Sequence, residues 1–414
     1  NGNEGNTESL EGSPPFSLSS TQYNILGYSA IGGAGLLFPL SPNSIPTRAI
    51  WPYVQQWHFD VQRDLGERTV LTTSYVGSKG THLTDQRDFN QIFPLPASLN
   101  PYHAGQPISS GDCSTLTVNG APVTGQAAVN LNVACGANPN LYRPFAGFGN
   151  ITGLEDQANS SYNAFQVSAR HYIGHLSLSV AYTWSHSIDD SSDRYDGSFV
   201  NSYNLAQSRA SSGFDQRHLL NVSYVYDLPF FTHPGFLHTV LGAWQISGLV
   251  TFQTGTPFSI VNGTFGDNAG VGNGVGTGSY VDVIGNPNAP PPVTNVAGIT
   301  GPLLYNPGAF AAPTGLTFGD AGRNILNNPA RTNWDMGLFK HFPLRSETRA
   351  IEFRAEAFNV FNHTQWNGIY NGASCYAGPN NSAGDPSCID SSSFLHPGGA
   401  HNPRILQLGM KFLF

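Results

Sequence analysis

Along much of this chain apolar and polar residues take turns one by one, the period-two signature of a β-strand whose two faces meet different surroundings. In "LSLSVAYTWS", Leu176, Leu178, Val180, Tyr182 and Trp184 share one side, and Ser177, Ser179, Ala181, Thr183 and Ser185 the other. In "WQISGLVTFQ", Trp244, Ile246, Val250 and Phe252 oppose Gln245, Ser247, Thr251 and Gln253. In "HLLNVSYVYDL", Leu220, Val222, Tyr224, Tyr226 and Leu228 oppose Asn221, Ser223 and Asp227. The closing "RILQLGMKFLF" sets Leu406, Leu408, Met410, Phe412 and Phe414 against Gln407, Gly409 and Lys411. Less regular alternation runs over 53–63, 69–77, 161–171, 332–342 and 350–361. The pattern predicts nine strands and no amphipathic helix, an all-β chain.

Such alternation suits a soluble β-sandwich as well as a transmembrane barrel. The connections separate the two. From the first strand onward short and long links alternate: "DLGER", then 78–160; "YIGH", then 187 to about 212; "PFFTHPGFLHT", then 255–331; "PLRSET", then 362–402. Four long loops at one end of the strands are uncommon in compact soluble domains. Outer-membrane barrels have them routinely, with tight periplasmic turns below and long extracellular loops above. The long segments are rich in Gly, Asn and Pro, as in "GDNAGVGNGVGTGSY", and predict irregular loops. Residues 1–52 read as an extracellular loop region with at most a partial strand near 22–30, and 53–414 as barrel. Nine strands that start and end in the same direction cannot close an antiparallel barrel. Open edges in lipid leave backbone groups unpaired at several kcal/mol each. The expectation is therefore either a missed strand within 1–52, giving a ten-stranded barrel, or the carboxyl-terminal part of a larger one.

Composition supports an envelope protein. Charged residues make up 11% of the 414, against roughly 25% in ordinary soluble domains, while aromatics reach 12%. A net charge of −8 gives no basic footprint for nucleic acid. No apolar run is long enough for a transmembrane helix, which leaves strands of about 9 to 11 residues as the means of crossing. The chain starts at Asn1 without a recognisable secretory signal, so it reads as processed or cut.

Cys113 and Cys135 fall in one long loop and Cys375 and Cys388 in another, which predicts two local disulfides in an oxidising compartment rather than free thiols. Candidate chemistry is otherwise sparse. Asp189, Asp190, Asp193 and Asp196 in "IDDSSDRYDG" are hard ligands suited to Ca²⁺, but the EF-hand spacing is missing and a solvated loop is the favoured reading. "VGSKGTH", with Gly77, Lys79 and Gly80, lacks the Walker order and reads as a strand-to-loop exit. The thirteen histidines form no zinc pattern, and His58, His171, His341 and His363 are expected in wall or interface roles. Glu352, Arg354 and Glu356 alternate on one strand face as a charge-balanced lumen lining, and no nucleophile elbow is present. The expectation is no enzyme, no cofactor and no metal. The aromatics Trp184, Trp244, Trp334 and Trp366, with Tyr182, Tyr224 and Tyr226, suit the girdles at membrane interfaces. The expected lipid-facing set is Leu178, Val180, Tyr182, Trp184, Trp244, Ile246, Val250, Phe252, Leu408, Met410 and Phe412.

Longer blocks carry a resemblance. "PYVQQWHFDVQRDL", "TSYVGSKGTHL", "SSYNAFQVSARH", "AYTWSHSIDDSSD", "FDQRHLLNVSYVYDLPF", "WQISGLVTFQTGTPFS", "NWDMGLFKHFPL" and "FRAEAFNVFNHTQW" follow one another over residues 50–414. Together they resemble the barrel of Oar-like TonB-dependent outer-membrane receptors, the type of Acidobacteria whose amino-terminal domain is carboxypeptidase-regulatory-like. The resemblance implies a 22-stranded barrel with an internal plug, in the outer membrane of a Gram-negative bacterium, and nutrient uptake driven through TonB. The terminal "KFLF" resembles the aromatic ending, here Phe414, that the barrel assembly machinery reads. No plug, TonB box or regulatory-like domain is recognisable in these residues. Expected partners are TonB through the parent protein, the assembly machinery, the lipid bilayer and a small-molecule or peptide ligand. The alternative is a small non-transporting outer-membrane barrel with a structural or surface-binding role.

Overall fold

The computed structural model describes residues 41–413, apart from 47–49, 198, 234, 263–265, 273–277, 292–294, 296–297, 300, 344–348 and 371–392. Nine long strands form one antiparallel meander: β1 Tyr53–Gly66, β2 Thr69–Asp88, β3 Thr152–Ile173, β4 Leu176–Asp189, β5 His218–Asp227, β6 Trp244–Gln253, β7 Arg331–Pro343, β8 Ala350–Phe358 and β9 Ile405–Leu413. Each pairs with its neighbours in chain order, and β1 and β9 remain the two edges of an open sheet among the described residues. Every expected strand is therefore present. The count of nine leaves the sheet unclosed, as the direction argument requires. The expected partial strand near 22–30 lies outside the described residues. Within 1–52, Asn43–Ser44 pairs in parallel with Thr152–Gly153 at the top of β3.

The register keeps one face largely apolar and the other largely polar. Leu178 stands opposite Tyr224, Tyr224 opposite Gly248, Gly248 opposite Met336, Met336 opposite Ala357 and Ala357 opposite Leu406. A row nearer the long loops joins Trp184, Phe165, Tyr75 and Phe59. Rings lie across glycines where a Cβ has no room: one built on Gly77 would meet Trp57 at 2.3 Å, and one on Gly248 would meet Tyr224 at 2.5 Å. The opposite face joins Ser177, Val225, Ser247, Gly337, Glu356 and Gln407. Cross-strand hydrogen bonds there include Gln245 Nε2 to Asp227 Oδ1 at 2.7 Å and Thr251 Oγ1 to Asn221 Oδ1 at 3.0 Å. A one-residue slip would exchange the two faces entirely, so the alternation specifies the register.

The apolar face is not a core. Among the described residues, the only buried apolar side chains on the nine strands are Ala158, Ala164 and Ala350, whereas Trp184 in the middle of the sheet is 56% exposed. A sandwich needs the reverse, with large side chains between two sheets. The buried apolar residues sit in the long connections instead, which corrects the expectation of irregular loops. Val200, Ile260, Val281, Leu303, Phe310, Leu326, Phe394 and Leu395 form one cluster drawn from three connections. Tyr102, Val118, Ala127, Leu131 and Leu316 form a second. The loops thus fold together into a cap.

The turns at the other end are tight. Glu67 and Arg68 both have positive φ, 50° and 56°, the two-residue geometry whose twist matches the flanking strands. The link after β3 is Gly174–His175, with Gly174 also at positive φ. The strands β2 and β3 run further toward the cap than their alternation indicates. "VGSKGTH" is therefore strand interior and not an exit, because β2 continues to Asp88 against β3.

Candidate functional site

The features able to act on a solute are the polar face of the sheet and the cap that closes over its upper part. Ser185, Ser187 and Asp189, on the polar side of β4, are buried by the cap. Lower down, the same face holds a cavity of about 400 Å³ lined by Ser177, Ser179, Ser223, Ser247, Asp335 and Glu356 together with the apolar Val225, Leu249, Phe339 and Phe358. Arg354 Nε contacts Glu352 Oε1, two residues back along β8.

At the rim, Arg331, Asn333, Asp335, Gln365, Asn367 and His401 line a second cavity of about 390 Å³. Asp335 accepts from Asn359 N at 2.9 Å, and Gln365 Nε2 donates to Asn333 Oδ1 at 3.3 Å. Arg331 Nε and Gln365 Oε1 are buried without a hydrogen-bond partner. Burial, reinforced by the Arg331 guanidinium, holds His401 below the ordinary histidine range and so neutral at pH 7. The rim thus offers a cation, an acceptor and amides to a polar solute. No motif marks it, because its residues come from β7, the β8–β9 connection and the hairpin formed by Trp366–Ile369 and Pro397–Ala400.

Two buried arginines hold the cap to the sheet. Arg323 donates from Nε to Ser208 O at 2.8 Å, from one terminal nitrogen to Asp196 Oδ2 at 3.0 Å, and from the other to Asp189. Arg143 pairs with Asp88 at 2.9 Å and donates to Asn90 O at 2.6 Å and Gly272 O at 3.0 Å, tying the β2–β3 connection to the β6–β7 connection. These contacts revise the reading of "IDDSSDRYDG". Asp189 and Asp190 are buried rather than solvated, Asp190 is paired with Arg209 at 3.0 Å, and Asp193 Oδ1 accepts from Tyr195 N at 2.9 Å. Arg209 and Arg323 supply the positive charge beside these carboxylates. No cluster of potential metal ligands occurs among the described residues.

Cys113 and Cys135 form a disulfide that joins helix α1 (Ser110–Thr115) to the end of helix α2 (Gly125–Ala134). A reciprocal cap starts α1: Ser109 Oγ accepts from Asp112 N and the Asp112 carboxylate accepts from Ser109 N. Cys375, Cys388 and Phe414 lie outside the described residues. The eleven residues from Leu178 to Phe412 that were expected to meet lipid do share one face, as the register shows. Trp334 lies on that face, whereas Trp366 belongs to the cap hairpin and packs over Gly301.

Asp85, in the part of β2 beyond the bulge at Gly80–Leu83 and above the apolar band, is 1% exposed. Burial pushes its carboxyl up to about 6, with Glu155 adding to the effect and Gln157 and Arg87 opposing it. The folded state therefore binds more protons than the unfolded chain between about pH 4 and 6, and stability falls as pH rises through that window. Asp85→Asn is expected to abolish this pH dependence and to stabilise the β2–β3 extension at pH 7 by on the order of 2–3 kcal/mol, read by amide hydrogen exchange at the two pH values.

A sheet that is apolar and exposed on one side, polar on the other, and capped at one end is the wall of a membrane β-barrel. The sequence matches the family described as outer membrane beta barrel domain over residues 1–407, and the chain belongs to that family. Its place is the outer membrane. No curated protein matches it. Among solved structures, the outer membrane transporter YddB from Escherichia coli is similar at a TM-score of 0.39 and 9% identity, covering 90% of this chain and 34% of the transporter. The chain thus spans about a third of that protein's length.

Proposed function

We propose that the chain is part of the wall of an Oar-like, TonB-dependent transporter that carries a nutrient across the outer membrane. The observation that carries this reading is the mainly polar face, broken by Leu249, Phe339 and Phe358, that runs from the rim cavity at Arg331 and Asn333 to the lower cavity at Ser177 and Ser247. Solute meets the cap and rim first and then passes along serines, amides and balanced charges that hydrogen-bond without holding it tightly. The apolar face contacts lipid, with Trp57, Trp184 and Trp334 toward the outer interface and Trp244 and Phe412 toward the periplasmic one. The ordered sequence blocks resembling Oar-like receptors support TonB dependence.

The full-length protein is expected to bind the periplasmic domain of TonB in a saturable manner by titration calorimetry, and to hold planar bilayers closed in its resting state. Lack of TonB binding together with a closed bilayer would favour the non-transporting surface barrel. Lack of binding with steady conductance would favour a passive pore.

A further inference from the structure

The link between β5 and β6 is the longest at the periplasmic end and contains a short helix, α3, Phe236–Leu241. Phe236, Leu237, Val240 and Leu241 fall within an arc of about 140° at about 100° per residue, so α3 carries an apolar stripe. That stripe faces away from the protein: Phe236 is 80% and Leu237 57% exposed, and Phe230 and Phe231 in the same link are exposed beside it.

The backbone of α3, by contrast, is tied to the sheet. Lys340 Nζ donates to the carbonyls of Gly242 and His238, and Trp244 Nε1 donates to Val240 O at 3.3 Å. His238 Nδ1 lies 2.6 Å from Phe231 O and folds the link back on itself. Lys340 stands opposite Trp244 and Phe353, so these contacts arise on the apolar side of the wall. A lysine there would be costly in lipid. Its ammonium is buried against the last carbonyls of α3, where a cation is favoured, and lies over the Trp244 and Phe342 rings at 5.5 and 5.1 Å. The helix therefore sits outside the wall at the level of its lowest aromatic row, continuous with the apolar face.

We propose that α3 is an interfacial anchor whose apolar stripe lies among the acyl chains of periplasmic-leaflet phospholipids, with Lys340 as the strut holding it at that depth. Lipid is the occupant because the stripe extends the surface that already meets the bilayer, and because residues typical of interfacial helices, Phe and Leu, form it. The inference rests on the apolar face being lipid-facing.

The test places single cysteines at Phe236→Cys, Leu237→Cys, Val180→Cys and Glu67→Cys in the full-length protein, with Cys375 and Cys388 replaced by serine. Each carries an environment-sensitive fluorophore in phosphatidylethanolamine–phosphatidylglycerol vesicles. Lipids spin-labelled near the headgroup are expected to quench positions 236 and 237 several-fold more than position 67, and deep-chain labels to quench position 180. Quenching of 236 and 237 by aqueous iodide to the level of position 67, without lipid quenching, overturns the anchor. So does protection from both quenchers, which would mean a protein covers the stripe. Absence of lipid quenching at position 180 as well would overturn the lipid-facing reading of the wall itself.

Discussion

Arg323→Ala is expected to release the cap from the sheet while leaving the nine strands paired. The guanidinium uses all its nitrogens on Ser208, Asp196, Ser192 and Asp189, and Asp189 and Arg323 are both buried. Truncation leaves the Asp189 carboxylate uncompensated in a dry site, a change that costs about 3–5 kcal/mol. The loss is local because Arg323 lies in a connection and takes no part in the strand ladder. Cells displaying the variant should show new cleavage by external protease within residues 191–216 and 255–330, and hydrogen exchange there should rise while β3 to β6 stay protected. Arg323→Lys, a single charged point with fewer donors, should fall between. An equally protease-resistant cap in the alanine variant would mean that the two apolar clusters alone hold it.

The second large effect is on the wall. Val180 stands opposite Ala169 and Val222 in the middle of the apolar face. Val180→Arg should destabilise the membrane-inserted protein by about 2–4 kcal/mol, the cost of a cation at the bilayer midplane of a barrel wall. Ser179→Arg, one residue away on the polar face, should cost far less because its side chain meets water. Urea unfolding midpoints of the full-length protein in vesicles, followed by the gel mobility of the folded barrel, measure the difference. Equal costs at the two positions would remove the distinction between the faces.

The contrast also marks what could be read from the chain. Alternation is a local signal, so all nine strands and both faces were legible, down to the bounds of Trp244–Gln253. The extensions of β2 and β3 were not, because "GSKGTHLTDQRD" pairs across polar positions and a bulge rather than along an apolar stripe. The cap was hidden for a different reason. Val200, Ile260, Phe310 and Phe394 meet although more than 30 residues separate each from the next, and no periodicity survives such gaps. Glycine- and asparagine-rich stretches looked like solvated loops because composition reports backbone freedom and not long-range packing. The Arg323–Asp189 pair followed the same rule: nothing near Arg323 in sequence indicates Asp189 as its partner. At the rim, Arg331 looked like the last residue of a loop, and its unpartnered Nε became visible only once Gln365 stood beside it. Helix α3 was too short for its stripe to stand out from "PFFTHPGFLHT".

Site-directed spin labels at positions 178 to 183 of the full-length protein in lipid vesicles give the most direct reading of what each face of β4 touches. Labels at 178, 180 and 182 should collide with molecular oxygen dissolved in the bilayer, and labels at 179, 181 and 183 with a water-soluble nickel chelate. Uniform accessibility along the strand, or oxygen contact on the serine side, would contradict a wall with lipid on one face and a polar passage on the other.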